Sequence, residues 1–188
     1  METGGASLDA ARGSPILAPA MKFTCRNIFH TDADTYWSKI FFDGDYNRGL
    51  YVEALQFRKW ELVELTGEPG GARTRKQNLE PKSDAPAVVQ KLVGGSISYV
   101  EQGRFDPASR IWTYDITLSK LADKVRIGGK FWVEPRGDKR IERICEVDIS
   151  VNIFGVGGIV EKFVESETRD SYEKATVFTN DWIKKHGL

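Results

Sequence analysis

At 188 residues, 40% hydrophobic and 11% aromatic, the chain carries apolar material for one core, since a domain takes about 100–200 residues. Its 27 basic residues balance 27 acidic ones, so no net field draws it to phosphate backbones, and nucleic acid is not an expected partner. Cys25 and Cys145 each sit in an apolar-patterned stretch, which argues for buried thiols and against a disulfide framework or a zinc site.

Residues 1–20 are rich in Gly, Ala, Ser and Pro without periodicity. They hold too little apolar surface to offset the entropy of ordering, so a disordered tail is expected there and one folded domain over 21–188. Glu2, Asp9 and the short, proline-broken Pro15–Pro19 stretch do not fit a secretory signal. With no run near the ~20 apolar residues of a membrane span, the expectation is a soluble, cytoplasmic protein.

The folded part opens with a strand over Lys22–His30. Thr31 and Asp32 then offer N-cap oxygens to a short helix containing Tyr36, Trp37, Ile40 and Phe41. A second short helix is predicted over Tyr46–Ala54. Strand patterns follow near Phe57–Leu65, Arg73–Glu80, Ser96–Phe105, Ile111–Leu118, Lys124–Glu134 and Arg140–Ile153. Turn signals stand at Glu68–Gly71, Asp106-Pro107 and Arg136–Asp138. Between the strands, Ala85–Val93 reads as a helical or irregular crossing, with Pro86 suited to a first turn and Gly94-Gly95 to a stop.

Alternation separates the two faces of the sheet. Cys145, Val147, Ile149, Val151 and Ile153 oppose Glu146, Asp148, Ser150 and Asn152, and Trp112, Tyr114, Ile116 and Leu118 oppose Thr113, Asp115 and Thr117. In the same way Val125, Ile127, Phe131 and Val133 oppose Arg126, Lys130 and Trp132. An antiparallel sheet with one apolar face must bury it. The cover is a long helix from Ile159 to about Lys185, apolar at Val160, Phe163, Val164, Tyr172, Ala175, Phe178 and Trp182. The positions offset by one, including Glu161, Glu165, Arg169, Thr176 and Asn180, should face water.

This order of strand, two short helices, antiparallel strands and long C-terminal helix resembles the helix-grip fold of the START-like superfamily, which groups lipid-transfer, pollen-allergen-like and polyketide-cyclase-like proteins. The resemblance spans about Met21 to His186. Within the superfamily the chain is similar to a bacterial-type family of unknown function. That likeness rests on Pro86–Val93 followed by Ser96–Gly103, on the Lys124–Glu134 strand, and on the junction Phe154-Gly155-Val156-Gly157-Gly158-Ile159-Val160-Glu161-Lys162. It implies an α+β domain in which a curved antiparallel sheet wraps the C-terminal helix and leaves a pocket for an apolar ligand. The residues assigned to its lining are Tyr99, Glu101, Trp112, Tyr114, Phe131, Arg143, Val147, Ile149, Phe163 and Tyr172. Tyrosine suits such a place, joining apolar bulk to a hydroxyl that orients a head group. The alternative is that these side chains fill a solid core.

Other chemistry finds less support. Gly155-Val156-Gly157 lacks the third glycine of a nucleotide loop, with Val160 in its place. Asp43-Gly44-Asp45 opens like a calcium loop, but Arg48 and Ala54 stand where glycine and glutamate are needed, so a capped turn is the better reading. No metal or cofactor is called for. His30 and His186 have no nucleophile beside them in sequence, and no catalytic residue is assigned. Strand parity does place Glu101 and Arg143 among apolar neighbours, where a charge must be paired or reach solvent, unless a register slip turns both outward. Such a pair would serve a cofactor-free enzyme of the cyclase or hydratase type. Outside, Trp132, Arg126, Lys130, Lys139, Arg140 and Arg143 read either as a basic and aromatic patch for a membrane or partner or as a solvated strand surface. The function expected is binding, transport or sensing of a lipid or isoprenoid-like molecule. A cyclase-type enzyme and a filled-core interaction scaffold stand as alternatives, and oligomeric state stays open.

Overall fold

A computed structural model describes residues 21–82 and 85–188; the expected disordered tail over 1–20 lies outside them. Seven antiparallel strands form one open sheet in the order β1-β7-β6-β5-β4-β3-β2. They are β1 (Met21–Phe29), β2 (Lys59–Thr66), β3 (Arg73–Glu80), β4 (Tyr99–Asp106), β5 (Ile111–Leu118), β6 (Val125–Pro135) and β7 (Ile141–Val151). From β2 to β7 each strand pairs with its sequence neighbour, and β1 returns to pair with β7, so β1 and β2 are the outermost strands among the described residues.

Register follows the alternation. On β7 every second residue from Ile141 to Val151 is buried, Arg143 among them, and on β5 Trp112 and Tyr114 are buried between exposed Thr113 and Asp115. Because side-chain direction has period two, one buried face fixes the whole ladder. Gly103 of β4 lies under the indole of Trp112: a Cβ there would stand 2.1 Å from the ring. Only glycine permits that approach.

The first cover comes from α1 (Ala33–Thr35) and α2 (Gly44–Arg48), each running on into wider turns at Tyr36–Ile40 and Gly49–Ala54. Asp32 caps the first through Oδ1, which accepts from Thr35 N at 2.8 Å. Asp43 caps the second, accepting from Tyr46 N at 2.7 Å; the Asp43-Gly44-Asp45 motif is thus a capped turn. In the wider turns Phe41 N donates to Tyr36 O and Leu55 N to Leu50 O, each one residue longer than an α-helical step. This segment supplies Tyr36, Trp37, Ile40, Phe41 and Phe42 to the core, all buried. Trp37 stacks on Phe131 at 5.5 Å between ring centres and meets Phe105 at 4.4 Å. Each such side chain contributes about 1.5–3 kcal/mol by burial, so the short helices share with the long one the work of covering the sheet.

The C-terminal helix, α4 (Gly157–His186), has the expected length, starting two residues earlier. It follows a tight turn in which Gly155 adopts φ +77°, a conformation costly for any residue with a Cβ. At the helix start a Cβ on Gly157 would stand 3.0 Å from Val151 O, so glycine lets the helix approach the sheet. Val160, Ala175, Thr179 and Ile183 are buried. The offset face is not uniformly wet. Asn180 Nδ2 donates to Ile28 O at 3.0 Å and its Oδ1 accepts from His30 N at 3.0 Å, while Arg169 Nη1 donates to Thr24 O. These groups satisfy main-chain atoms along β1, the edge strand beside which the helix lies. A fourth helix, α3 (Ala87–Val93), ends on Gly94 in the left-handed conformation and buries Val89 and Val93.

Candidate functional site: a cavity between sheet and helices

The inner face is not filled. Between β3–β7 on one side and α2, α3 and α4 on the other lies a cavity of about 250 Å³. Apolar side chains dominate its wall: Ile116, Leu118 and Ile127 from the sheet, Leu50 from the wider turn after α2, Val89 and Leu92 from α3, Phe163 and Val164 from α4. Tyr99, Ile116 and Leu118 are only half buried although they sit on the concave face, because the space in front of them is empty. Glu167, exposed on α4, marks a rim where the cavity meets solvent.

Of the ten residues assigned from sequence, nine line this space: Tyr99, Glu101, Trp112, Tyr114, Phe131, Arg143, Val147, Phe163 and Tyr172. Ile149 does not. It lies between Met21 and Ile127 in the ladder and is wholly enclosed by protein. Glu101 and Arg143 both face inward, but they are not partners. Glu101 Oε1 accepts from Arg75 Nη2 at 3.2 Å and from Gln77 Nε2 at 2.9 Å, while Arg143 Nη2 donates to Asn27 Oδ1 at 3.0 Å.

Two polar clusters therefore interrupt the apolar wall. In the first, Arg75 also donates to Phe41 O at 3.0 Å and Asn47 Oδ1 at 3.2 Å, with its guanidinium 4.4 Å from the centre of the Phe41 ring. Gln77 reaches Tyr51 Oη at 3.1 Å. Burial pushes the phenols of Tyr51 and Tyr99 up, and the Glu101 charge adds to both effects, so both are neutral at physiological pH. In the second, Arg143 lies 4.6 Å from the Tyr172 ring centre and 5.1 Å from that of Phe29. Tyr172 Oη and Cys145 Sγ are 3.1 Å apart, and Tyr114 Oη is 3.7 Å from the same sulfur. Burial raises the Cys145 thiol, and it raises the Tyr36 phenol against the pull of the adjacent Arg143 charge. A neutral buried thiol is a poor nucleophile.

Sequence reasoning missed Arg75, Gln77, Tyr36 and Tyr51. A signal existed for two of them: counting back by twos from buried Leu79 on β3 turns Gln77 and Arg75 inward. None existed for Tyr36 and Tyr51, whose direction depends on the wider helical turns.

On the outer face, Lys130 pairs with Glu146 at 3.0 Å, Lys22 with Asp148 at 2.9 Å, and Arg136 with Glu134 and Glu142. Trp132 Nε1 donates to Glu134 at 3.1 Å. Arg143 is absent from this face, while Arg126, Lys139 and Arg140 take part in none of the ion pairs among the described residues. No helix among the described residues is long and apolar enough to cross a membrane.

A curved open sheet gripping a long C-terminal helix over a cavity defines a helix-grip protein, and solved structures agree. The Zhui aromatase/cyclase from Streptomyces sp. R1128 is similar with a TM-score of 0.63 at 13% identity, covering 90% of this chain and 96% of that one. A point mutant of norcoclaurine synthase from Thalictrum flavum gives 0.61 at 15% identity, covering 90% and 97%. A START superfamily protein from Mycobacterium smegmatis gives 0.54 at 13%, covering 87% and 97%. The chain belongs to the family described as protein of unknown function (DUF2505), whose sequence model matches residues 26–183. No curated protein matches it. Identities this low carry the fold and leave the chemistry to the site itself.

Proposed function

We propose that this protein binds a hydrophobic small molecule, lipid-like or isoprenoid-like, in the cavity between sheet and α4, for carriage or sensing in the cytoplasm. The observation that carries the reading is the unfilled space of about 250 Å³ behind a mostly apolar wall. That volume is near the lower end of ligand pockets, about 300–1,000 Å³, and favours a compact ligand or one whose tail leaves through the rim. Burial of its apolar surface supplies most of the affinity, about 25 cal/mol per Å² before entropic costs. The neighbouring solved proteins include an aromatase/cyclase and a synthase, yet here the carboxylate in the wall is held by Arg75 and Gln77 and the thiol is neutral, an arrangement suited to holding a ligand more than to proton transfer. Two buried thiols left unbonded, Cys25 and Cys145, suit a reducing compartment.

Loading requires the wall to open. The Phe154–Gly158 junction is the proposed hinge: Gly155 and Gly158 are exposed, Val156 offers no side-chain cap to α4, and the Phe154 ring is fully exposed. Transient contact with a membrane would serve the transfer of an apolar ligand there. Native mass spectrometry of the purified protein, with organic extraction of the same sample, tests the reading. A bound apolar molecule in 1:1 ratio supports it; failure of Ile116→Trp, which fills the cavity, to lower that occupancy counts against it.

A further inference from the structure

Four charged side chains line the cavity: Arg75, Arg143, Glu101 and, at the rim, Glu167. Arg75 and Glu101 answer one another at 3.2 Å. Arg143 is 8% exposed and takes part in none of the ion pairs among the described residues. Its hydrogen-bond acceptor is neutral, the Asn27 amide oxygen at 3.0 Å, and its Nε has none. Five N–H donors face one neutral acceptor within hydrogen-bonding distance among the described residues. The rings of Phe29 and Tyr172 soften the cost of burying the cation without cancelling it. A buried, unneutralised guanidinium on a cavity wall is expensive, and a ligand carrying the opposite charge relieves that cost.

We infer that the ligand is an apolar carboxylic acid whose carboxylate seats on Arg143 while its hydrocarbon part occupies the apolar space toward Ile116, Leu118 and Phe163. The planar fork of arginine matches a carboxylate through two parallel hydrogen bonds. Tyr36, whose phenol is neutral and lines the cavity, supplies a further donor to the same oxygens. Asn27, which is not part of the lining, holds the guanidinium from behind through its amide oxygen. An aspartate at that position would neutralise Arg143 from within the protein.

This inference rests on the binding reading above, and its test separates the two. The neutral fluorophore N-phenyl-1-naphthylamine reports on the cavity alone; sodium decanoate and 1-decanol, matched in chain length, then compete with it at pH 7.5. In the wild-type protein decanoate should displace the fluorophore at a concentration about tenfold or more below that of decanol, as charge-assisted hydrogen bonds imply. Asn27→Asp should bring the two competitors within about twofold while still binding the fluorophore, and Arg143→Met should erase the same preference. Equal competition in the wild type, or a preference that survives in Asn27→Asp, overturns the carboxylate assignment and leaves the cavity standing. A wild-type protein that shows no saturable binding of the fluorophore overturns both.

Discussion

Replacing Glu101 by glutamine removes one charge and almost no volume, which isolates the electrostatic role of the first polar cluster. Arg75 is 4% exposed, and its remaining acceptors, Phe41 O and Asn47 Oδ1, are neutral. Removing one partner of a buried ion pair costs about 3–5 kcal/mol, because the other charge is left uncompensated. Two features reduce that figure here. The Glu101 side chain retains 15% exposure toward the cavity, and the guanidinium keeps its seat over Phe41, worth about 0.5–2 kcal/mol. The expected loss is therefore about 2–4 kcal/mol, read by urea unfolding followed through tryptophan fluorescence. Arg75→Met alone should cost a comparable amount, and the double variant about 1.5 kcal/mol less than the sum of the two, since the partners act as a unit. A loss below about 0.5 kcal/mol in Glu101→Gln, or strict additivity, would refute the claim that this pair is electrostatically coupled.

Three further outcomes follow from the geometry. Gly103→Ala, which drives a methyl group into the Trp112 ring, should lower stability by about 1–3 kcal/mol as other overpacked cores do; an unchanged urea midpoint would mean the indole is free to move. Asp32→Ala should cost about 1 kcal/mol at pH 7 through loss of the cap on α1. The Thr35 amide and hydroxyl hold the Asp32 carboxyl below its ordinary value, so the contribution is present above the unfolded value of about 3.9 and is lost as pH falls through the lower folded value. The gap between variant and wild type should accordingly close toward pH 2, and a constant gap would contradict the assignment. Burial raises the thiols of Cys25 and Cys145, so little thiolate exists at pH 8 and both should resist a disulfide-exchange reagent until denaturant is added; prompt labelling of the native protein would show the inner face to be open.

The sheet was legible from its best strands: the apolar run of Cys145, Val147, Ile149 and Val151 and the intervening polar residues leave one register open to β7. The long helix was legible from its apolar stripe. Its other face is wet at Arg169 as read, but a sequence cannot show that Asn180 and Arg169 also satisfy the main chain of an edge strand. Around the cavity the parity of Glu101 and Arg143 gave their direction. Their partners were not read: Asn27 comes from a strand distant in sequence and meets Arg143 only through the β1–β7 register, and Arg75, though on the neighbouring strand, reaches Glu101 diagonally across the β3–β4 ladder. The aromatic cover from Tyr36 to Phe42 was under-read for a different reason. Wider helical turns rotate successive side chains by an angle that no 3.6-residue pattern anticipates.

The space beneath α4 can be probed directly. Apolar cavities take up xenon, so crystals of the protein pressurised with xenon should show density among Ile116, Leu118, Phe163 and Val164, or else a copurified apolar molecule already in that place. Crystals in which side chains close over the same volume, with neither gas nor ligand between sheet and helix, would contradict the account.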